Sequence, residues 1–208
     1  MNYKIIDNFL LKKHFDYLSN LNLKKVEPNS INIYHNKIYK NGAVYSECIP
    51  KDYLIEMDKT YQNILINMLT EMYPEKVPFY EYSAFHIINA GLEYSYPIHL
   101  DDPNKLLSGV VYLSPKSNRG TTIYKNKFGD ESREIEWRQN RAMFFSRKQN
   151  QTWHSYESDK KNNRLTLVYN LMTNDTKGVC EVEKINYYKQ RSIEFLNPYI
   201  YRFFKKLI

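Results

Sequence analysis

The sequence predicts a mainly β protein with flanking helices, whose core is a double-stranded β-helix, or jelly roll, of two antiparallel sheets. Residues 79–171 consist of short β-branched and aromatic runs separated by Gly, Pro and Asn, a texture typical of about eight closely spaced strands. Helical periodicity precedes this region and returns after it. One domain is therefore expected, with helical support over 1–78, the jelly-roll core over 79–171 and a C-terminal helical region over 185–208.

Two helices are predicted before the sheet region, and both should support one sheet from outside. Over Phe9–Leu21, apolar residues recur at helical spacing, and Asp7 or Asn8 stands where an N-cap is expected. The second helix, Asp52–Tyr73, follows Pro50, a residue favoured at helix starts. Its predicted buried face consists of Leu54, Met57, Tyr61, Ile64, Met68 and Met72.

The strands are predicted where apolar and polar residues alternate, or where a short apolar run is bounded by turn residues. A first extended stretch is expected at Ile31–Tyr34, followed by a turn at Asn41–Gly42. The core strands are expected at Tyr80–Asn89, Ile98–Leu100, Leu107–Leu113, Thr121–Tyr124, Glu134–Trp137, Ala142–Phe145, Gln151–His154 and Arg164–Leu171.

The last segment, Ile185–Ile208, returns to a helical pattern. It combines an apolar face with basic residues, namely Phe195, Tyr199 and Phe203 with Arg202, Lys205 and Lys206. A helix of this kind either docks on its own core or lies on a membrane surface. Docking on the core is the preferred interpretation.

Composition and charge narrow the classes of function. Lys and Arg total 30 against 23 Asp and Glu, a net charge of +7, but the basic residues form scattered pairs, so charge alone favours solubility over binding. No run approaches the ~18 apolar residues of a membrane span, and the N-terminus lacks the apolar run of a secretory signal. A cytoplasmic location is therefore expected. Frequent Asn, Lys, Ile and Tyr are typical of an AT-rich bacterial or viral genome.

Candidate metal ligands lie in two predicted strands. Cysteines are too few for a zinc cage, so any metal must be held by His and carboxylates. His99 and Asp101 are two residues apart, a spacing that places both on one face of a strand, with Asp102 opposite. With His154 they form the set that holds non-heme Fe(II) and leaves positions open for a chelate and dioxygen. Each residue alone could equally be strand packing, which is how we interpret His86.

Arg164 begins a later strand, where Thr166 and Val168 share its face. An Arg among apolar neighbours is costly to bury unpaired. A guanidinium holds a carboxylate in bidentate fashion, and a Thr hydroxyl beside it completes the cage. The strand therefore suits the distal carboxylate of an acid held at a fixed distance from a metal. Pairing with an internal Glu, or exposure at the strand start, is the alternative.

Together these features resemble the 2-oxoglutarate/Fe(II)-dependent oxygenases, and within them the prolyl-hydroxylase-like branch. The resemblance covers most of the chain. It rests on Ile5–Leu10, Asn89–Tyr94, Tyr96–Asn104, Gly109–Ser114, Arg119–Tyr124, Asn140–Phe145, His154 and Arg164–Thr166. An H-x-D pair, a distal His and an Arg ten residues beyond it, in that order on a predicted jelly roll, form a specific combination.

The resemblance implies a cupin-like jelly roll that uses Fe(II), 2-oxoglutarate and O2, with ascorbate as a reductant. It assigns iron to His99, Asp101 and His154, 2-oxoglutarate to Arg164, Thr166, Tyr112 and Asn89, and the substrate to Tyr96. Tyr112 could equally be a packed aromatic residue and Asn89 a turn residue. Because Asp101 is intact, halogenation is disfavoured.

The implied reaction is hydroxylation of an unactivated C–H bond with release of succinate and CO2. The segment Asp101–Asn104 and the short chain favour a protein residue such as proline, or a free amino acid, as substrate. The alternative is a nucleic-acid demethylase. The charge of +7 and the aromatic residues of Tyr94–Tyr96 support it. Asn170 stands where prolyl hydroxylases carry an aromatic residue and the demethylases a second Arg, so it supports neither. A catalytically silent binding module is disfavoured because every expected position is filled.

Overall fold

The computed structural model describes residues 2–204 and 207 of the 208-residue chain. Its helices are α1 (Lys12–Ser19), α2 (Lys51–Met72), α3 (Thr176–Val182) and α4 (Tyr187–Phe204), with a 3₁₀ helix at Pro74–Phe79. Its strands are β1 (Lys4–Ile6), β2 (Ile31–Tyr34), β3 (Asn36–Tyr39), β4 (Val44–Ser46), β5 (Tyr82–Ala90), β6 (Tyr96–His99), β7 (Lys105–Ser114), β8 (Thr121–Tyr124), β9 (Arg133–Ile135), β10 (Ala142–Phe145), β11 (Trp153–Tyr156) and β12 (Arg164–Met172).

The strands form two antiparallel sheets, which confirms the predicted jelly-roll class. The larger sheet has the order β1-β10-β7-β12-β5-β3-β4, with β2 also paired to β5. The smaller sheet has the order β6-β11-β8-β9. The predicted bounds of β8 and β10 are those observed, and the other core strands differ from prediction by no more than two residues at either end.

The N-terminal region contributes strands as well as the predicted helices. β2 confirms the extended stretch Ile31–Tyr34. β3 and β4 pair through the predicted turn at Asn41–Gly42, where Gly42 has a φ of +84°, a conformation open to glycine. β1, β2, β3 and β4 all belong to the larger sheet. The region 1–78 therefore supplies four short strands to the larger sheet in addition to its helices. Three of these strands, β1, β3 and β4, were not predicted, and each has only three or four residues.

β12 lies at the centre of the larger sheet, between β7 and β5. One of its faces carries Leu165, Leu167, Tyr169 and Leu171, all buried in the main apolar core. α2 packs on the same core through its buried side chains. The opposite face of β12 lines a cavity between the two sheets. The predicted division of this strand into two faces is confirmed.

α1 begins three residues later than predicted, and neither predicted cap is used. Its N-cap is Leu11, which has no side-chain cap. Phe9 and Leu10 remain extended because their N–H groups donate to the backbone and side-chain oxygens of Asn140, at 3.0 and 2.8 Å. Asn8 instead adopts a φ of +55° in the turn before them. A partner 130 residues away in sequence therefore delays the start of the helix.

α2 agrees with the predicted helix to within one residue at each end. Its buried residues are Leu54, Met57, Asp58, Tyr61, Leu65, Met68 and Leu69. The predicted burial of Ile64 is wrong, since this side chain is 44% exposed, whereas Leu65 beside it is fully buried. At 3.6 residues per turn, the buried stripe continues from Tyr61 to the residue four positions on, not three.

The C-terminal region contains two helices rather than one. α3 was not predicted; it is short and is capped by Asp175, which accepts a hydrogen bond from the Gly178 N–H. α4 confirms the predicted helical pattern, but its predicted docking face is exposed: Phe195, Tyr199 and Phe203 are 68, 57 and 72% exposed. The other side of α4 faces the cavity. Lys205 and Lys206 lie outside the described residues, and none of the described helices is long and apolar enough to cross a membrane.

Neighbouring positions of α2 provide a test of its buried face. Leu65→Ala should lower the free energy of unfolding by about 2–5 kcal/mol, because it removes buried apolar volume and leaves a cavity against the sheet. Ile64→Ala is the matched control and should cost less than about 1 kcal/mol. Urea unfolding followed by circular dichroism measures both, and equal losses would contradict the observed face.

Candidate active site

Two histidines of the smaller sheet and an aspartate just beyond the end of β6 converge at one end of the cavity. His99 ends β6 and His154 lies in β11, and these residues are direct partners in the antiparallel register. Their ring centroids are 4.2 Å apart. Asp101 follows two residues after His99, and one ligand atom from each of the three residues lies within 4.8 Å of the others. The structure thus brings together the three predicted metal ligands.

The two imidazoles are oriented as metal ligands require. Nδ1 of His99 donates to the Pro97 carbonyl and Nδ1 of His154 to the Thr152 carbonyl, each at 2.9 Å. Since a carbonyl can only accept, each Nδ1 carries the proton and each Nε2 keeps a free lone pair. Burial lowers the pKa of His99 to about 3 and also lowers the pKa of His154. Both rings are therefore neutral, the form that binds a metal.

Asp101 is held as an ionised carboxylate. The Ser108 hydroxyl donates to Oδ2 at 2.5 Å, and the Lys105 ammonium forms an ion pair with Oδ1 at 2.5 Å. Burial by itself would raise the pKa of Asp101, but the Lys105 ammonium beside it holds that pKa well below its usual range. Sequence reasoning missed Lys105 and Ser108. An H-x-D motif followed by a Lys four residues after its Asp was the available signal.

Asp102 also lines the cavity, so its predicted place on the opposite face is wrong. β6 ends at His99, and residues 100 to 102 are not in a strand. The alternation of faces therefore does not continue to Asp102, and Leu100 likewise lines the cavity.

The cavity has a volume of about 460 Å³ and extends from the candidate metal ligands to Arg164. Its wall on the larger sheet includes the apolar side chains of Ile88, Val110 and Val168. On the side of α4 it is lined by Glu194, Asn197, Pro198 and Tyr201, together with Tyr94, Tyr96 and Leu207. A pocket of this size, mostly apolar with a few convergent polar groups, is typical of a small-molecule site.

Arg164 is a buried cation with no acidic partner. It is only 7% exposed, and no carboxylate among the described residues contributes to its environment. Its guanidinium lies 3.9 Å from the ring centroid of Tyr156, and Nη2 makes a long 3.4 Å hydrogen bond to the Thr121 hydroxyl. Its Nε has no hydrogen-bond partner within the part of the chain that the structure describes. Pairing with an internal Glu and exposure at the strand start are therefore both excluded.

The other residues predicted to contact 2-oxoglutarate or the substrate differ in where they lie relative to the cavity. Thr166 and Tyr96 line the cavity, and the Tyr96 ring meets the His99 ring edge-on at 4.5 Å. Tyr112 lies beside the guanidinium of Arg164, where its hydroxyl accepts the Thr121 N–H at 2.8 Å. Asn89 is paired with Leu165 on the core side of the sheet. Its predicted cosubstrate contact is wrong, because its neighbours in β5 line the cavity and the pleat turns Asn89 away.

Further polar residues of the cavity were missed from the sequence. Thr121, Tyr156 and Trp137 surround the guanidinium of Arg164. Asn170, noted only as a departure from family patterns, is fully buried in the cavity wall. Its Oδ1 accepts the Gly109 N–H at 3.3 Å, which leaves Nδ2 without a partner among the described residues. The period-2 alternation of side chains, counted from Arg164, was the signal that could have placed Asn170 on the cavity face.

Comparisons of structure support the resemblance at the level of fold. No family model and no curated protein matches the sequence. A prolyl hydroxylase from Trichoplax adhaerens, solved with a hypoxia inducible factor peptide fragment, is similar at a TM-score of 0.54 and 12% identity, over 85% of this chain and 86% of that one. A 2OG-Fe(II) oxygenase family protein from Burkholderia pseudomallei gives 0.54 and 13%, over 82% and 84%.

A prolyl-4-hydroxylase from Pseudomonas putida gives a TM-score of 0.50 at 16% identity, over 83% of this chain and 92% of that one. The fold is thus that of the prolyl-hydroxylase-like 2-oxoglutarate oxygenases. At these identities the likeness establishes the fold alone.

The metal ligands can be tested by direct binding. His99→Ala or His154→Ala should abolish high-affinity Mn(II) binding, because two remaining protein ligands leave the ion undersatisfied. His86→Ala removes a half-buried histidine of β5 outside the cluster and should leave binding unchanged. Titration followed by electron paramagnetic resonance of free Mn(II) measures this. Wild-type affinity in either triad variant would refute the assignment.

Arg164 can be tested through 2-oxoglutarate. Arg164→Ala should weaken 2-oxoglutarate binding roughly 100- to 1000-fold, since losing one side of a buried charged pair costs about 3–5 kcal/mol. Arg164→Lys should recover only part of the affinity, because an ammonium keeps the charge but not the two-pronged geometry. Calorimetric titration of the Mn(II)-loaded protein gives these values. A lowered melting temperature with unchanged affinity would mean that Arg164 is purely structural.

Proposed function

We propose that this protein is an Fe(II)- and 2-oxoglutarate-dependent dioxygenase that hydroxylates an unactivated C–H bond of its substrate. The observation that carries the proposal is the presence, in one cavity, of a His-Asp-His cluster and a buried guanidinium that lacks an acid. A dicarboxylate that reaches both ends would satisfy Arg164 and the metal together. When bound, the iron and 2-oxoglutarate would supply O2 activation coupled to the release of succinate and CO2, with ascorbate as a possible reductant.

The residues fit this metal and cosubstrate. Neutral imidazoles with free Nε2 atoms and an ionised carboxylate are the donors that non-heme Fe(II) takes, with positions left open for a chelate. Arg164 would hold the 5-carboxylate, with the Thr166 hydroxyl on the same cavity face. The apolar wall would exclude water and so strengthen these polar contacts.

The preferred substrate is a protein residue such as proline, or a free amino acid. The support is a prolyl hydroxylase of this fold that was solved with a peptide fragment. The carboxylates of Asp102 and Glu194 also line the cavity. Because they would repel phosphates, they favour a peptide or an amino acid over the nucleic-acid alternative, despite the net charge of +7.

The experiment is turnover with a substrate panel. The protein would be incubated with Fe(II), 2-oxoglutarate, ascorbate and O2 in the presence of prolyl peptides, amino acids or methylated oligonucleotides. We expect succinate release, and a gain of one oxygen in a peptide or amino acid by mass spectrometry. Asp101→Ala is the inactive control. Demethylation of an oligonucleotide would establish the alternative, and succinate no higher than in the control would favour a silent binding module.

A further inference from the structure

A cluster of three buried charges lies behind the metal ligands. Lys76 of the 3₁₀ helix, Arg147 just after β10, and Glu183 at the end of α3 have side chains no more than 1% exposed. One oxygen of Glu183 accepts from Lys76 at 2.6 Å, and the other pairs with Arg147. Lys76 also donates to the backbone carbonyl of Arg147. The ion pairs and the hydrogen bond of this cluster thus connect three separate segments of the chain around Arg147.

That guanidinium reaches the backbone of a metal ligand. Nε of Arg147 donates to the Asp101 carbonyl at 2.8 Å. β6 has ended before Asp101, so the hydrogen bonds of the sheet no longer fix the backbone at this residue. The hydrogen bond from Arg147 fixes it instead. The remaining arm of the guanidinium, Nη2, donates to the side chain of Gln149 at 2.7 Å.

The Gln149 contact extends the support to the second histidine. Gln149 lies in the turn from Lys148 to Thr152, which is closed by the Lys148 N–H donating to the Thr152 hydroxyl at 3.2 Å. The Thr152 carbonyl then accepts from Nδ1 of His154 and sets its orientation. Arg147 therefore contacts both the Asp101 backbone and the turn that aims His154.

We propose that Arg147 is a positioning residue for the metal centre, which holds the Asp101 backbone and the 148–152 turn in register while Glu183 and Lys76 fix its guanidinium. The inference rests on the metal site of the proposed function. Three buried charges are a poor source of stability, since apolar residues of the same volume often stabilise a fold as well or better. Groups behind metal ligands, in contrast, commonly change metal affinity 10- to 100-fold when they are removed.

Mn(II) binding to the full chain tests this proposal. Arg147→Met keeps the stem and the Lys76–Glu183 pair but loses the contacts to Asp101 and Gln149, and it should weaken Mn(II) binding at least ~10-fold. At saturating Mn(II), 2-oxoglutarate affinity should stay at the wild-type value, because Arg164 is intact. Arg141→Met is the matched control: Arg141 also pairs with two carboxylates, Asp7 and Glu136, but has no contact with the metal ligands. It should leave Mn(II) affinity unchanged.

The outcomes separate positioning from stability. A lowered melting temperature with wild-type Mn(II) affinity in Arg147→Met would overturn the proposal, as would an equal loss of Mn(II) affinity in Arg141→Met or a parallel loss of 2-oxoglutarate affinity. If Arg147→Met does not fold, Arg147→Lys decides, since one ammonium cannot make all three contacts and should still weaken Mn(II) binding. Failure of the wild-type protein to bind Mn(II) would instead refute the metal centre, and this inference with it.

Discussion

The candidate site depends on the alternation of side chains along β12. Leu165, Leu167 and Tyr169 bury one face of the strand in the main core, so the strand cannot shift by one residue without exposing them. The same constraint fixes Arg164 and Asn170 on the cavity face. Because β12 is paired on both sides, to β5 and β7, the register of the whole larger sheet holds the guanidinium in place. The packing of the main core and the position of Arg164 in the cavity are thus set by one period-2 pattern.

The sequence was sufficient wherever that local pattern decides the structure. Both faces of β12, the limits of β8 and β10, and the H-x-D and distal His could be read from residue types and spacing. Prediction failed at one position just beyond the end of a strand and at one position inside a strand. Asp102 was placed on the wrong face because the alternation of a strand was extended beyond Leu100, where the strand was itself predicted to end. Asn89 was assigned to the cosubstrate from the resemblance, whereas a shift of one residue along a strand decides which face a side chain lies on.

Other features depend on contacts between distant segments and could not be predicted locally. The start of α1 is set by Asn140, on the far side of the sheet region in sequence. α4 has the amphipathic pattern of a docked helix, yet its polar side faces the cavity. Lys76, Arg147 and Glu183 are separated by 36 to 107 residues, and each reads as an ordinary surface charge until the fold brings them together.

The two buried arginines of this chain provide an internal comparison. Arg147 has every arm of its guanidinium engaged, by a carboxylate, a side-chain amide and a backbone carbonyl. Arg164 is buried nearly as deeply, but among the described residues its guanidinium is surrounded by aromatic rings and hydroxyl groups and by no carboxylate. An unpaired buried charge is costly. This fold nevertheless gives only one of the two guanidiniums a carboxylate partner among the described residues. The position opposite Arg164 is open cavity that extends to His99, Asp101 and His154.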